Sequence, residues 1–173
     1  MNKTALTLLM LYLVLIPAQA LVFNNLVLFD VAVPMVFIFM LITLPVTFSA
    51  NLAMTIGFLT GLTVDILSDT PGVNALACTV LCFIRRPVFH LYMPADNDLA
   101  EQRPSLSNMG AAAFLKYAVT MVLIYCTAVF TVEGIGCFNV KLFLLRSLSS
   151  TVYTFIMIYA IACLSVSRRE KRL

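Results

Sequence analysis

The chain has 173 residues, of which 62% are hydrophobic and 11% charged, with a mean hydropathy of +1.02. Soluble domains carry a much smaller apolar share, so the sequence reads as an integral membrane protein, one transmembrane domain over residues 1–173, with no polar stretch long enough for a second folded unit. A formal charge of +3 is too small to hold a polyanion, which excludes nucleic acid as a partner and makes the placement of charge the informative quantity.

Crossing about 30 Å of hydrocarbon takes about 20 apolar residues, and about six segments qualify. The first runs from Ala5 to Phe23. Lys3 ahead of it and Ala18-Gln19-Ala20 near its end imitate a cleavable signal over residues 1–20, but hydrophobicity continues through Leu21, Val22 and Phe23, which favours an uncut helix. Asn24-Asn25 reads as a turn. The second segment, Leu28 to Phe48, meets the third, Ala50 to Leu67, at a near-seamless joint after Pro45. Ser68-Asp69-Thr70-Pro71-Gly72 supplies the residue types of a reversal. The fourth segment, Val73 to Leu91, has only about a dozen residues before Arg85-Arg86, about 18 Å of helix. Both arginines are therefore expected to snorkel as cytoplasmic anchors, with an anionic lipid or a protein as the alternative contact. Residues 93–108 form the one sizeable polar loop. The fifth and sixth segments, Met109 to Val132 and Leu142 to Val166, precede a basic tail, residues 167–173, whose Arg168, Arg169, Lys171 and Arg172 are further anchors.

Lys3, Arg85, Arg86, Arg103 and the tail collect on one side of such a bundle, while Lys141 and Arg146 lie on the other. By the positive-inside rule both termini are cytoplasmic. Asp65 and Asp69 then lie towards the outer face.

Gly57, Gly61 and Asp65 recur every four residues, so they share one helix face, extended by Ala53 and Asp69. Such small-residue ridges pack membrane helices closely, here inside the bundle or against a partner chain. Gly61-x-x-x-Asp65-x-x-x-Asp69 also equals the second half of the CDP-alcohol phosphotransferase signature. The first half is missing, and two carboxylates alone make a poor metal cage. Cys78, Cys82, Cys126, Cys137 and Cys163 match no zinc spacing and read as structural, and His90 has no catalytic partner in view. No metal, no cofactor and no enzymatic reaction are expected. Asp30, Asp65, Asp69 and Arg146 fall at one level, and Asp65 with Arg146 is the candidate ion pair; the bland role for the acids is turn capping.

Gly57-x-x-x-Gly61-Leu62-x-x-Asp65-x-x-Ser68-x-Thr70-Pro71-Gly72-x-Asn74-Ala75-Leu76 resembles the glycine, acid and Pro-Gly segment of the MreD family, the small membrane subunit of the bacterial cell-wall elongation machinery. Chain length, short loops and the basic tail agree with the family. So do Gln19, Phe23, Asn24 and Pro34. The resemblance implies a non-enzymatic scaffold in the bacterial cytoplasmic membrane, in contact with membrane lipids, that binds MreC and helps couple MreB filaments to the synthase RodA and its transpeptidase partner. It also implies an all-α bundle similar to the substrate-binding subunits of energy-coupling-factor vitamin transporters.

Two functions therefore compete. A scaffold would use the Gly57-Gly61 ridge or the second-span surface for docking. A solute-binding transporter subunit would line an outer cavity with Asp30, Asp65, Asp69 and Asn74, an arrangement disfavoured by the few polar residues in spans five and six. A lipid-modifying enzyme survives only through the Asp65 and Asp69 pair.

Overall fold

The computed structural model describes residues 3–21, 32–70, 72–93, 104–134 and 140–170, with the side chains at 3–7, 9, 107–108 and 164–170 excepted. Every regular element among them is a helix: α1 (Lys3–Leu21), α2 (Ile38–Ile42), α3 (Ala50–Ser68), α4 (Val73–Tyr92), α5 (Leu106–Met109), α6 (Ala111–Glu133) and α7 (Val140–Glu170). Among the described residues four stretches are long and apolar enough to cross a membrane: α3, α4, α6 and Val140–Cys163 of α7. Their limits lie within a few residues of the predicted third to sixth spans. In α1 the apolar helical stretch is Met10–Leu21.

The predicted second span is different. Residues 28–31 lie outside the described residues, and from Ala32 to Phe37 the chain is not helical; α2 is a single five-residue piece. Pro34 removes a backbone donor and disfavours helix at Val33, and Pro45 disfavours it just past α2. This segment is nevertheless the centre of the core. Val36, Ile38, Leu41, Ile42 and Leu44 are each 0% exposed.

Irregular backbone at membrane depth persists only where protein satisfies its polar groups, and here side chains from both ends of the sequence do so. Gln19 of α1 donates from Nε2 to the Pro34 carbonyl at 2.8 Å and accepts from the Val36 amide at 2.9 Å. The Val33 amide donates to Ser150 Oγ at 3.1 Å, and the Met35 amide to Thr154 Oγ1 at 3.0 Å. Ser147, Ser150, Thr151 and Thr154 are buried along one face of α7. The sixth span thus carries an inward hydroxyl ladder, contrary to the expectation of few polar groups there.

α3 and α4 form an antiparallel hairpin and pack more extensively on each other than any other pair of helices. α6 covers α4, and α7 covers α6. α6 is the most enclosed of the four spanning helices and α7 the least.

Candidate functional site

The acid-bearing segment builds the joint of the α3–α4 hairpin. Asp65 is 4% exposed and lies one turn before the end of α3. Its Oδ1 accepts from Thr70 Oγ1 at 2.6 Å, from the Asn74 amide at 3.0 Å and from Asn74 Nδ2 at 2.9 Å; its Oδ2 accepts from the Ala75 amide at 2.8 Å. Asn74 and Ala75 open α4, where backbone amides have no intrahelical acceptor. The carboxylate therefore caps the next helix across the turn, with its negative charge at the positive end of the α4 dipole.

The turn geometry makes this reach achievable. Asp69 adopts the left-handed conformation (φ 55°) and its amide returns to the Asp65 carbonyl. Gly72, φ 76°, sits immediately before α4 in a conformation that costs glycine little. Pro71 lies outside the described residues. From Asn74 the chain of hydrogen bonds continues inward, because Asn74 Nδ2 also reaches Thr70 Oγ1 at 3.2 Å and the Tyr125 hydroxyl of α6 donates to Asn74 Oδ1.

Gly57 and Gly61 set the distance between α3 and α4. A Cβ at Gly57 would stand 2.6 Å from Cys82 Sγ and 2.9 Å from the Cys78 carbonyl oxygen; one at Gly61 would stand 2.5 Å from both Ala75 Cα and the Asn74 oxygen. Of the two uses open to this ridge, the structure shows internal packing, and α4 covers it completely.

Asp65 does not pair with Arg146. It accepts four hydrogen bonds, three at Oδ1 and one at Oδ2, all from neutral donors of its own hairpin, and Arg146 lines the cavity together with Glu133, at the end of α6. Asp69 is exposed, and its left-handed backbone carries it off the helical register that would align it with Asp65. Among the described residues no three His, Cys, Asp or Glu side chains come together. Cys78, Cys82 and Cys126 are buried free thiols, and His90 is exposed.

The end of the bundle predicted to be cytoplasmic contains a second polar site that reading the sequence missed. Arg85 is 1% exposed, not a snorkelling anchor: Nη1 donates to the Leu44 carbonyl at 2.5 Å and Nη2 to the Pro45 carbonyl at 3.0 Å. These carbonyls follow a short buried helix and have no helical partners, so they draw the guanidinium inward. Arg86 is exposed and reaches the Val46 carbonyl at 3.3 Å. The only sequence signal was a double arginine two-thirds of the way along an apolar span, followed by Pro87. Arg168 and Arg169 lie on α7 with undescribed side chains, and Lys171, Arg172 and Asp30 lie outside the described residues.

Near the α3–α4 joint a cavity of about 370 Å³ opens at the predicted outer end. Val33, Met35, Phe37, Val64, Val129 and Phe130 give it apolar walls, and Ser68, Thr70, Asn74, Glu133 and Arg146 contribute polar surface. Of the predicted cavity residues, Asn74 is in the lining, whereas Asp65 and Asp69 are not.

Comparison with family models, curated proteins and solved structures gives no match to this chain.

Proposed function

We propose that this chain is a non-enzymatic membrane scaffold, working as an MreD-like subunit that binds an MreC-type protein and helps couple MreB-type filaments to peptidoglycan synthesis by a RodA-type synthase. One observation carries the reading. The segment from Gly57 to Leu76, which carries the main motif of the resemblance, is engaged in closing one helical hairpin, with glycines at the closest approach and four hydrogen bonds to the Asp65 carboxylate made within it. Such a segment favours a rigid interaction module over a reactive centre. Localisation in a bacterial cytoplasmic membrane, with both termini inside, belongs to the same proposal and is supported by the four spanning helices and the charge asymmetry.

The docking surface moves with this reading. The glycine ridge is covered by α4 and residues 34–42 are buried, so neither is free for a partner. Outward helix faces remain, and those of α3 and α7 present Leu59, Leu62, Ile66, Leu148, Val152 and Ile156, all exposed. Affinity purification from native membranes in mild detergent tests the proposal. An MreC-type protein co-eluting near equimolar amounts, and lost on Leu62→Trp or Leu148→Trp at unchanged thermal stability, supports it; elution of the chain alone refutes it.

The cavity favours a second reading, a solute-binding subunit of a vitamin-type transporter. Its volume lies within the range of about 300–1,000 Å³ usual for small-molecule sites. Mass spectrometry of small molecules released from the purified protein tests it, and a protein consistently free of solute refutes it.

A further inference from the structure

The outer cavity carries two charges that the rest of the fold does not use. Its other polar side chains have partners: Thr70 donates to Asp65, Asn74 donates to Asp65 and Thr70 and accepts from Tyr125, and Gln19 holds residues 34 and 36. Glu133 and Arg146 remain. Among the described residues no hydrogen bond or ion pair takes either head group, although the charge of Arg146 is felt at Glu133. Glu133 is also the last residue of α6, at the negative end of the helix dipole, where a carboxylate is disfavoured. Its position is thus not explained by helix formation.

The two charges define what fits. Glu133 is exposed and Arg146 half-buried, so both charges stand where the cavity meets its surroundings, and a cation or an anion alone would be drawn to one of them and repelled by the other. A divalent cation would find one available carboxylate with a guanidinium beside it. A molecule bearing both signs satisfies both, and the apolar depth formed by Phe37, Val64, Val129 and Phe130 suits an aliphatic or aromatic body. We propose that the cavity binds a small zwitterion of the α-amino-acid type with an apolar side chain, its carboxylate facing Arg146 and its ammonium facing Glu133. This deepens the solute-binding reading and rests on it.

The test is calorimetric titration of the full chain in lipid nanodiscs with L-phenylalanine and L-leucine, alongside 3-phenylpropionate, which lacks the ammonium, and phenethylamine, which lacks the carboxylate. Saturable binding of at least one amino acid is expected, with each single-charge analogue weaker by about tenfold or more, equal to about 1.4 kcal/mol. Arg146→Gln and Glu133→Gln should each weaken amino-acid binding by a similar factor, and Arg146→Lys should restore part of it; thermal midpoints of the variants establish that they are folded. Equal binding of an analogue and its parent amino acid, or binding unchanged in both Gln variants, overturns the assignment. A singly charged solute recovered from the purified protein overturns the zwitterion and keeps the solute-binding reading. Absence of saturable binding by any probe, with no solute recovered, overturns both.

Discussion

Asp65→Asn tests the hairpin joint most directly, because it keeps the size of the side chain and removes one acceptor. The asparagine oxygen can keep the position of Oδ1 and its three donors, but its Nδ2 then points at the Ala75 amide, which lies 2.8 Å from Oδ2, donor against donor. A buried amide left without an acceptor costs about 1–3 kcal/mol, so the loss should be about 2 kcal/mol. Asp65→Ala leaves the amides of both Asn74 and Ala75 unpaired and should cost about 4 kcal/mol on the same scale. At about 2–4 °C per kcal/mol for a chain of this length, the apparent unfolding midpoint in detergent at fixed scan rate should fall by about 4–8 °C for Asn and about 8–16 °C for Ala. The double variant Asp65→Asn with Arg146→Gln separates a helix cap from an ion pair: losses that add within about 0.5 kcal/mol indicate independent sites. Midpoints unchanged in both Asp65 variants, or strong coupling to Arg146, would refute the capping argument.

Other expectations follow from the same geometry. Gly61→Ala should destabilise by about 1–3 kcal/mol, since its neighbours at 2.5 Å include Ala75 backbone, whereas Gly57→Ala should be partly rescued by Cys82→Ala; thermal midpoints of the three variants decide this. Arg85→Met should release the Leu44 and Pro45 carbonyls and cost about 2–4 kcal/mol, while Arg85→Lys retains a single contact and falls between, as read by protease resistance in detergent. Gln19→Glu puts an acceptor against the Pro34 carbonyl, and faster hydrogen exchange at Val36 than in the parent would report the opened clasp. Tyr125→Phe removes the donor to Asn74 Oδ1 and should lower the midpoint by an amount corresponding to about 1–2 kcal/mol.

The four spanning helices were legible because length and hydrophobicity suffice to find them, and the turn around Asp69 and Gly72 was legible from residue type. The acid at position 65 was recognised as significant, and turn capping was among its readings, but its partner was misassigned to Arg146. Charge and depth suggest an ion pair; only the path of the turn reveals that the α4 amides arrive first. The second apolar segment was misread for a different reason. Hydropathy reports burial, and burial is shared by a spanning helix and by an irregular thread inside the bundle. The signs against a continuous helix were scattered: Pro34 and Pro45 within the segment, Gln19 upstream, and the hydroxyls of Ser150 and Thr154 far downstream. Arg85 was hidden by the same ambiguity, since its ligands belong to that thread.

The clasp on residues 33–36 has a consequence for biogenesis. The partners of the Val33 and Met35 amides lie 117 and 119 residues further along the chain, so as the polypeptide leaves the ribosome this stretch enters the bilayer long before its acceptors exist. Until the final helix is inserted, those peptide groups depend on water, on another protein or on a temporary helical form. The interior of the bundle is therefore completed last, and a chain truncated before residue 150 should remain a substrate for membrane quality control even with three of its spanning helices in place.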